Sequence, residues 1–386
     1  MKILYVTDTR LPTEKAHGLS TVKLCEAFAR LGFDIELLIP KRAGTEENVE
    51  AIWKAYGVRT PFTIRFGRCL DLTTTFLPER FSYPIRMLTL AFWAAWRARV
   101  HDDVRDTLVF SHDSLVLFVF SWFRWSFFYD IHHFPSENIF YRRVLRRMMG
   151  CAVQTQWKVQ ELSKRFCVPQ ERMVYWPNGT EVQKFEVPFS REEARTKLNL
   201  PLDQTIVLYT GQLFSWKGVD TLVKAVEQLP ASAHLYLVGG SNEDIERFQA
   251  EIRYTGHPRI HFIPFQPHER MPLWLRAANV VVLPNTAKQK VSLYYTSPMK
   301  LFEYMASGTP IVASRIPSIL EIVDDTCAFL AEPDQPVSFA ECIEAAITQT
   351  DLANEKAAQA RARVQKYTWE ERAKRLIAYF SSSFSR

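Results

Sequence analysis

Hydrophobic positions along the chain switch repeatedly between strand-like runs and helical spacing. Lys2–Thr7 is a short apolar run that predicts a strand, and Leu19–Leu31 predicts an amphipathic helix. Between them Asp8–Gly18, with Pro12 and Gly18, reads as a loop. Asp34–Ile39 predicts a second strand. Leu108–Ser111, Phe127–Ile131, Ala152–Thr155 and Met173–Trp176 predict later ones, with a helix at Lys158–Arg165. Pro177-Asn178-Gly179 closes this series, and the polar, charged segment Thr180–Leu200 reads as a linker. A second alternation follows, with strands at Thr205–Tyr209, His234–Val238, Ile260–Ile263, Val280–Leu283 and Ile311–Ala313. Helices fall between them at Val219–Leu229, Ile245–Tyr254, Arg270–Ala277 and Lys300–Ala306. Cys342–Lys366 reads as an alanine-rich helix and Trp369–Phe380 as one more amphipathic helix. Strands alternating with helices give a parallel sheet covered on both faces, which takes its ligands at the carboxyl ends of the strands. The predicted fold class is α/β, with two doubly wound parallel-sheet domains.

Composition narrows the setting. The 386 residues suit two or three domains at roughly 150 residues each. Hydrophobic residues make up 47% and charged residues 23%, as in an ordinary globular protein. Six cysteines lie scattered without a C-x-x-C pair, which argues against a zinc site or a disulfide framework and fits a reducing compartment. The first ten residues, MKILYVTDTR, lack the apolar core of a signal peptide, so a cytoplasmic location is expected. Asn178-Gly179-Thr180 matches a glycosylation sequon and reads here as a turn. The formal charge of +6 is uneven: Tyr141–Arg147 is strongly basic, and Phe76–Val100 mixes Arg80, Arg86, Arg97 and Arg99 with aromatic residues. Phe118–Tyr129 is also very aromatic. No apolar run reaches the roughly 18 residues of a spanning helix. Mixed basic and aromatic residues suit the inner face of an anionic membrane, and equally suit buried strands beside a solvated helix.

Two segments carry candidate chemistry. In SPMKLFEYMASGTPIVAS (Ser297–Ser314) a Ser-Pro turn precedes a breaker-free helical stretch, which Ser307-Gly308-Thr309-Pro310 ends before a buried strand. A helix that opens abruptly directs free N–H groups and its positive dipole end at what precedes it, a natural seat for a phosphate. Glu303 lies one to two turns in, where a carboxylate reaches a ribose, or merely solvates a surface helix. Upstream, the strand Thr205–Tyr209 stops at Thr210-Gly211, and Lys217-Gly218 precedes a helix. A lysine there adds a point charge to the amide dipoles, although the spacing is not that of a Walker-type loop. Lysines at such places are commonly solvated, and the signal gains force from its pairing with Glu303.

Taken together, these segments resemble the GT-B glycosyltransferases of the retaining family 4 type, over nearly the whole chain. Ser297–Ser314 resembles that family's donor-nucleotide motif, and Gly211 with Lys217-Gly218-Val219-Asp220 its diphosphate-clamping loop. Val174–Phe185 (VYWPNGTEVQKF) resembles the connector between domains, and Ile260–Pro284 the segment packed around the donor base. Tyr129-Asp130-Ile131-His132-His133 is similar to the strand end bearing the active-site histidine, and Gly18 matches a glycine of the first loop.

The resemblance implies two Rossmann-like domains facing a central cleft. These are an acceptor-binding domain at 1–185, a donor-binding domain at 186–366, and a C-terminal helix, 367–386, packing back on the first domain. It implies retaining, metal-independent transfer from a nucleotide-diphosphate sugar to a glycan, lipid-linked or other cell-surface acceptor, with no cofactor and no nucleic acid. Polysaccharide biosynthesis at the membrane's inner face is the implied setting. His132, Lys217 and Glu303 would be the catalytic set. Gly18, Gly211, Gln212, Lys217, Ser297, Met299, Lys300 and Glu303 would hold the donor. Some positions depart from the pattern: Tyr295 stands where the family commonly has a second glutamate, and Gln212 where an arginine commonly helps grip the diphosphate. Lys288, Lys290 or Lys300 are candidates to replace that cation. His133 replaces a frequent aspartate, while Val238-Gly239-Gly240 keeps the glycines that follow the strand. A sugar-nucleotide epimerase and a sugar-nucleotide-binding protein without turnover remain as alternatives.

Overall fold

The structure, a computed structural model, describes all residues except 14, 43–46, 73–77 and 385–386, so Phe76 of the basic-aromatic stretch lies outside the described residues. The chain divides into two compact units, Met1–Pro177 with Trp369–Arg386, and Asn178–Thr368. Residues 178–185, assigned to the first domain by sequence, sit in the second unit. There Thr180 donates its N–H to the Tyr367 carbonyl (2.9 Å), and Phe185 is buried.

Among its described residues, the first unit holds seven parallel strands. They are β1 (Lys2–Val6), β2 (Asp34–Pro40), β3 (Thr63–Gly67), β4 (Thr107–Ser111), β5 (Ser126–Asp130), β6 (Gly150–Val153) and β7 (Met173–Tyr175), in the order β3-β2-β1-β4-β5-β6-β7. The direction of winding reverses between β1 and β4, and this is where a doubly wound sheet opens a crevice. Both faces are covered, so the strands read as continuous apolar runs: Ile3, Leu4, Val109, Phe110, Phe127 and Phe128 are all fully buried. Each such side chain contributes roughly 1.5–3 kcal/mol.

The 23-residue helix Glu79–His101 was not legible as a helix in the sequence. Its buried face is built from Met87, Leu90, Ala91, Ala94 and Ala98 at helical spacing, but alanines and the interior Pro84 blur the pattern. Two of its arginines are buried and paired: Arg86 with Asp8 (2.9 Å) and Asp71 (3.3 Å), and Arg97 with Glu36 (2.8 Å). Gly18, expected on a loop, lies in the first turn of the helix Ala16–Arg30. A Cβ there would stand 2.4 Å from the Thr13 methyl and 2.6 Å from the Tyr56 hydroxyl, so close packing accounts for the glycine.

The second unit repeats the plan with β8 (Thr205–Thr210), β9 (Ala233–Val238), β10 (Ile260–Ile263), β11 (Val280–Leu283), β12 (Ile311–Ser314) and β13 (Phe329–Ala331). Their order is β10-β9-β8-β11-β12-β13, all parallel, with the reversal between β8 and β11. The expected linker 180–200 is instead folded. Arg191–Leu198 is a helix opened by a capping box in which Ser190 and Glu193 satisfy each other's backbone N–H groups. Its buried Arg195 donates to the carbonyls of Ala277, Leu202 and Gln204. High charge hid this helix, because its buried face is short and pairs Ala194 and Leu198 with an arginine. The expected single helix Cys342–Lys366 is two, Pro336–Thr348 and Thr350–Val364, divided at Gln349. Among the described residues, no helix is long and apolar enough to cross a membrane.

Candidate functional site

The second unit gathers its charged groups at the reversal between β8 and β11. Strand β8 ends in a turn at Gly211, whose φ of 117° is a conformation that L side chains rarely adopt. The Tyr209 hydroxyl donates to the Gln212 carbonyl (2.7 Å) and shapes that turn. Tyr304, from the helix Met299–Ser307, accepts the Thr210 N–H (2.9 Å) and fixes this helix against the strand end. The N-terminal turn of the helix thus lies beside the glycine turn. Met299 and Lys300 are its first two residues.

Lys300 reaches back over Gly211. Its ammonium lies 3.8 Å from the centroid of the Tyr209 ring, and a Cβ on Gly211 would come within 2.6 Å of it. The Nζ atom is buried and has no hydrogen-bond partner. Burial, and after it the charge of Lys217, pushes this ammonium well below the usual lysine range. Lys217 lies at the end of the single turn Ser215–Lys217, half-buried, with Nζ 3.6 Å from the Trp216 ring centroid. Loss of solvent pushes it down to about 7. Gly218 follows at φ 68°, and a Cβ there would strike the Pro284 carbonyl at 2.1 Å, so the loop hugs the end of β11. Lys217 and Lys300 thus place two desolvated cations beside a helix N-terminus, where the free amides and the positive dipole end favour negative charge.

Glu303 is buried and engaged. Its Oε1 accepts from His268 Nε2 (2.8 Å), while His268 Nδ1 faces the Lys184 ammonium at 2.8 Å. Lysine can only donate, so Nδ1 accepts, the proton sits on Nε2, and the ring passes it toward the carboxylate. Burial pushes the Glu303 carboxyl up, but His268, with Lys184 and Lys300, outweighs it and holds the group below the usual carboxylate range. Ser297 is also engaged: its hydroxyl accepts the Asn178 N–H (3.0 Å) and its carbonyl accepts from the Asn178 side chain (2.8 Å). Its role in the structure is to tie the Pro177-Asn178-Gly179 segment to the turn before the helix. Tyr295 ends a single π-helical turn, Val291–Tyr295. Lys184 and His268 were missed in the sequence reading. Both lie within segments the resemblance had singled out, but the pairing of a connector lysine with a histidine 84 positions away leaves no local signal.

In the first unit a second polar cluster sits where β1 and β4 diverge. His112 binds the Tyr5 hydroxyl through Nδ1 (3.0 Å) and the Thr7 hydroxyl through Nε2 (2.9 Å). His132 stacks on it, centroids 4.9 Å apart at 11°, and its Nε2 contacts Asp130 Oδ2 at 3.1 Å. Asp130 also receives Arg372 (2.8 Å) and the Gln154 amide (2.8 Å). Although buried, it lies well below the usual carboxylate range because of Arg372 and His132. Burial outweighs Asp130 and leaves His132 below the ordinary histidine value. A neutral His132 with its proton on Nε2 leaves Nδ1 as an acceptor for a hydroxyl. Nearby His17 is pushed down from 6.5 to about 4, chiefly by burial and then by His112.

His132 and His17 make a stability prediction. A histidine held neutral in the fold takes up protons more readily when unfolded, so folding free energy is lost as pH falls below about 6.5 toward the folded value. The melting temperature is expected to drop from pH 7 to pH 5, and His17→Gln is expected to flatten that drop. Melting curves across the range check it; an unchanged slope in the variant would remove His17 as a contributor.

Two six-strand 3-2-1-4-5-6 arrangements, one extended by β7, each with polar groups at its reversal, define the GT-B fold of glycosyltransferases. Residues 204–349, within the second unit, match the family described as glycosyl transferases group 1. Similar curated proteins include a D-inositol 3-phosphate glycosyltransferase of Xylanimonas cellulosilytica, 26% identical over 60% of this chain and 56% of that protein. The chain's match therefore spans little more than half the length of that relative. Among solved structures, sucrose-phosphate synthase from Thermosynechococcus elongatus superposes at a TM-score of 0.79, with 21% identity over 100% of this chain and 99% of that one. HepE of Anabaena, solved with UDP-glucose, superposes at 0.75, with 18% identity over 99% and 100%. At these identities the likeness establishes the fold.

Proposed function

We propose that the protein is a glycosyltransferase of hexosyltransferase type that moves a sugar from a nucleotide-diphosphate sugar to a glycan, lipid-linked or other cell-surface acceptor. The observation that carries this reading is the buried Lys300 ammonium, unpartnered over the Gly211 turn, beside Lys217 and the N-terminus of the Met299–Ser307 helix. A leaving diphosphate gains negative charge as the glycosidic bond breaks, and preorganised cations and amides lower the barrier there. Lys300 supplies the second cation that Gln212 does not. The ionised Glu303, held by His268 and Lys184, is placed to accept ribose hydroxyls, with Gly211, Met299 and Gln212 around the phosphates. His132, through its open Nδ1, is assigned a sugar hydroxyl, and Gly18 lines the same edge of the first unit. In this reading transfer is retaining and metal-independent, and a lipid-linked acceptor places the protein at the inner face of an anionic membrane. The relatives named for sugar transfer, and the one solved with UDP-glucose, support the donor class.

Incubation with a panel of labelled sugar nucleotides tests it. Nucleotide release with sugar appearing on an acceptor is expected. An altered sugar still on its nucleotide would indicate epimerisation, and tight binding with neither would indicate a binding protein, the alternative that the departures at Tyr295 and Gln212 leave open.

The Lys300→Met variant separates two effects of opposite sign. Removing a buried ammonium that has no hydrogen-bond partner is expected to stabilise the empty protein by about 1 kcal/mol. The same change is expected to weaken nucleoside-diphosphate binding by about 1.5–3 kcal/mol, the value of a charge-assisted contact. Melting curves and calorimetric titration check both signs; a variant that binds as tightly as the parent sinks the assignment.

A further inference from the structure

The first unit carries a surface that the transfer reading does not use. Helix Glu79–His101 leads into β4, Ser114–Phe120 into β5 and Ile139–Arg147 into β6, and these three strands are adjacent and parallel. The carboxyl ends of the three helices therefore gather at one place, the edge where the strands begin. Phe92, Trp96 and Val100, four residues apart on one helix face, are 58%, 61% and 59% exposed, and Trp122 is 64% exposed in the turn beyond the second helix. Phe123 is exposed beside it. The Arg143 guanidinium stacks on Trp122 at 3.8 Å and is held by the Ser121 hydroxyl and carbonyl. Arg99, Arg105, Arg124, Arg146 and Arg147 are exposed around these rings.

Two carboxylates of this edge are ion-paired. Asp102 is neutralised by Lys2 (2.7 Å) and Arg97 (3.4 Å), and Asp106 holds the N-terminal amino group (3.0 Å). Asp103 accepts the Arg105 N–H within its own turn. What remains is a rim of net positive charge around apolar rings.

We propose that this edge of the first unit is a docking surface for an anionic lipid membrane, with Phe92, Trp96, Val100 and Trp122 entering the headgroup layer and the arginines contacting lipid phosphates. Tryptophan favours that layer because its ring is apolar and its N–H is not, and arginine binds phosphate in a forked geometry. Anionic lipid adds attraction for each nearby cation, which salt screens. Among the described residues, the exposed arginines of this edge outnumber its exposed unpaired acids, Asp34, Asp103 and Glu171, so the rim carries a net positive charge that an anionic lipid layer complements. The membrane setting is shared with the transfer reading, on which it rests, but the surface is separate from the site, since His132 lies at the opposite, carboxyl edge of the same sheet.

The test is co-sedimentation of the full chain with phosphatidylcholine vesicles, with and without phosphatidylglycerol. The expected result is binding to the anionic vesicles alone, weakened by salt. Trp96→Ser with Trp122→Ser, and separately Arg146→Glu with Arg147→Glu, are each expected to lower the partition coefficient about tenfold or more. Circular dichroism and nucleoside-diphosphate binding, unchanged in both variants, show that fold and donor site survive. Absence of binding by the parent chain overturns the proposal, as does binding that neither variant alters. Self-association that the tryptophan variants abolish, without vesicle binding, would assign the patch to a second copy of the chain and equally overturn it.

Discussion

The Lys217→Ala protein is expected to transfer sugar about 10²–10³-fold more slowly while remaining folded. Lys217 sits on a single surface turn against one ring, so truncation removes little packing. Its loss leaves the leaving diphosphate with one cation fewer, and deletion of one such group typically costs about 2.7–4 kcal/mol of barrier. Its titration adds a second, independent signature. With the free ammonium pushed down to about 7, a bound polyanion raises it again, so binding above pH 7 must take up a proton. Donor affinity is therefore expected to fall as pH rises from 7 to 8.5, and Lys217→Arg, whose charge does not titrate, is expected to flatten that decline. Single-turnover rates and titrations across this range check both; unaltered kinetics in Lys217→Ala would refute the role.

Arg372→Met is expected to be the most destabilising of these changes. Arg372 projects from the C-terminal helix Trp369–Phe384 into the first unit, where it is almost wholly buried. It donates to Asp130 (2.8 Å) and to the carbonyls of Trp176 (3.2 Å) and Pro177 (3.1 Å). Without it the buried Asp130 carboxylate keeps only His132 and Gln154, and breaking such a pair from one side costs about 3–5 kcal/mol. For a unit of this size that corresponds to a fall in melting temperature on the order of 10 °C. Adding Asp130→Asn removes the stranded charge and is expected to restore part of the loss, because the cost lies in the unpaired ion rather than in missing packing. A double-mutant cycle by thermal melts checks this; additive losses would place the energy elsewhere. Loss of Arg372 also releases His132 toward its neighbours, so the same variant is expected to disturb the site it helps to position.

The strands were legible because parallel strands are buried on both faces and read as apolar runs, and β8 through β12 fall within a residue or so of the pattern. The glycine turn at Gly211, the Lys217-Gly218 step and the helix opening at Met299 were legible for a related reason. Each depends on backbone chemistry that only certain residues permit, and it leaves a local mark. Helices whose buried faces are alanine or arginine, such as Glu79–His101 and Arg191–Leu198, leave no such mark, because their partners lie far along the chain.

The amino-acid sequence by itself determined the α/β alternation, the two doubly wound sheets, the glycine turn with its lysine and the abrupt helix opening at Met299, since these follow from short-range periodicity and from glycine, proline and charge at fixed offsets. Only the tertiary structure decided that Lys300 is buried without a partner, that Lys184 and His268 hold Glu303 ionised, that Ser297 is occupied by Asn178, and that His112, His132, Asp130 and Arg372 form one cluster. Desolvation and ion pairing depend on which distant groups the fold brings within a few ångströms. That information is spread over the whole chain and is fixed only when the sheets close on their helices.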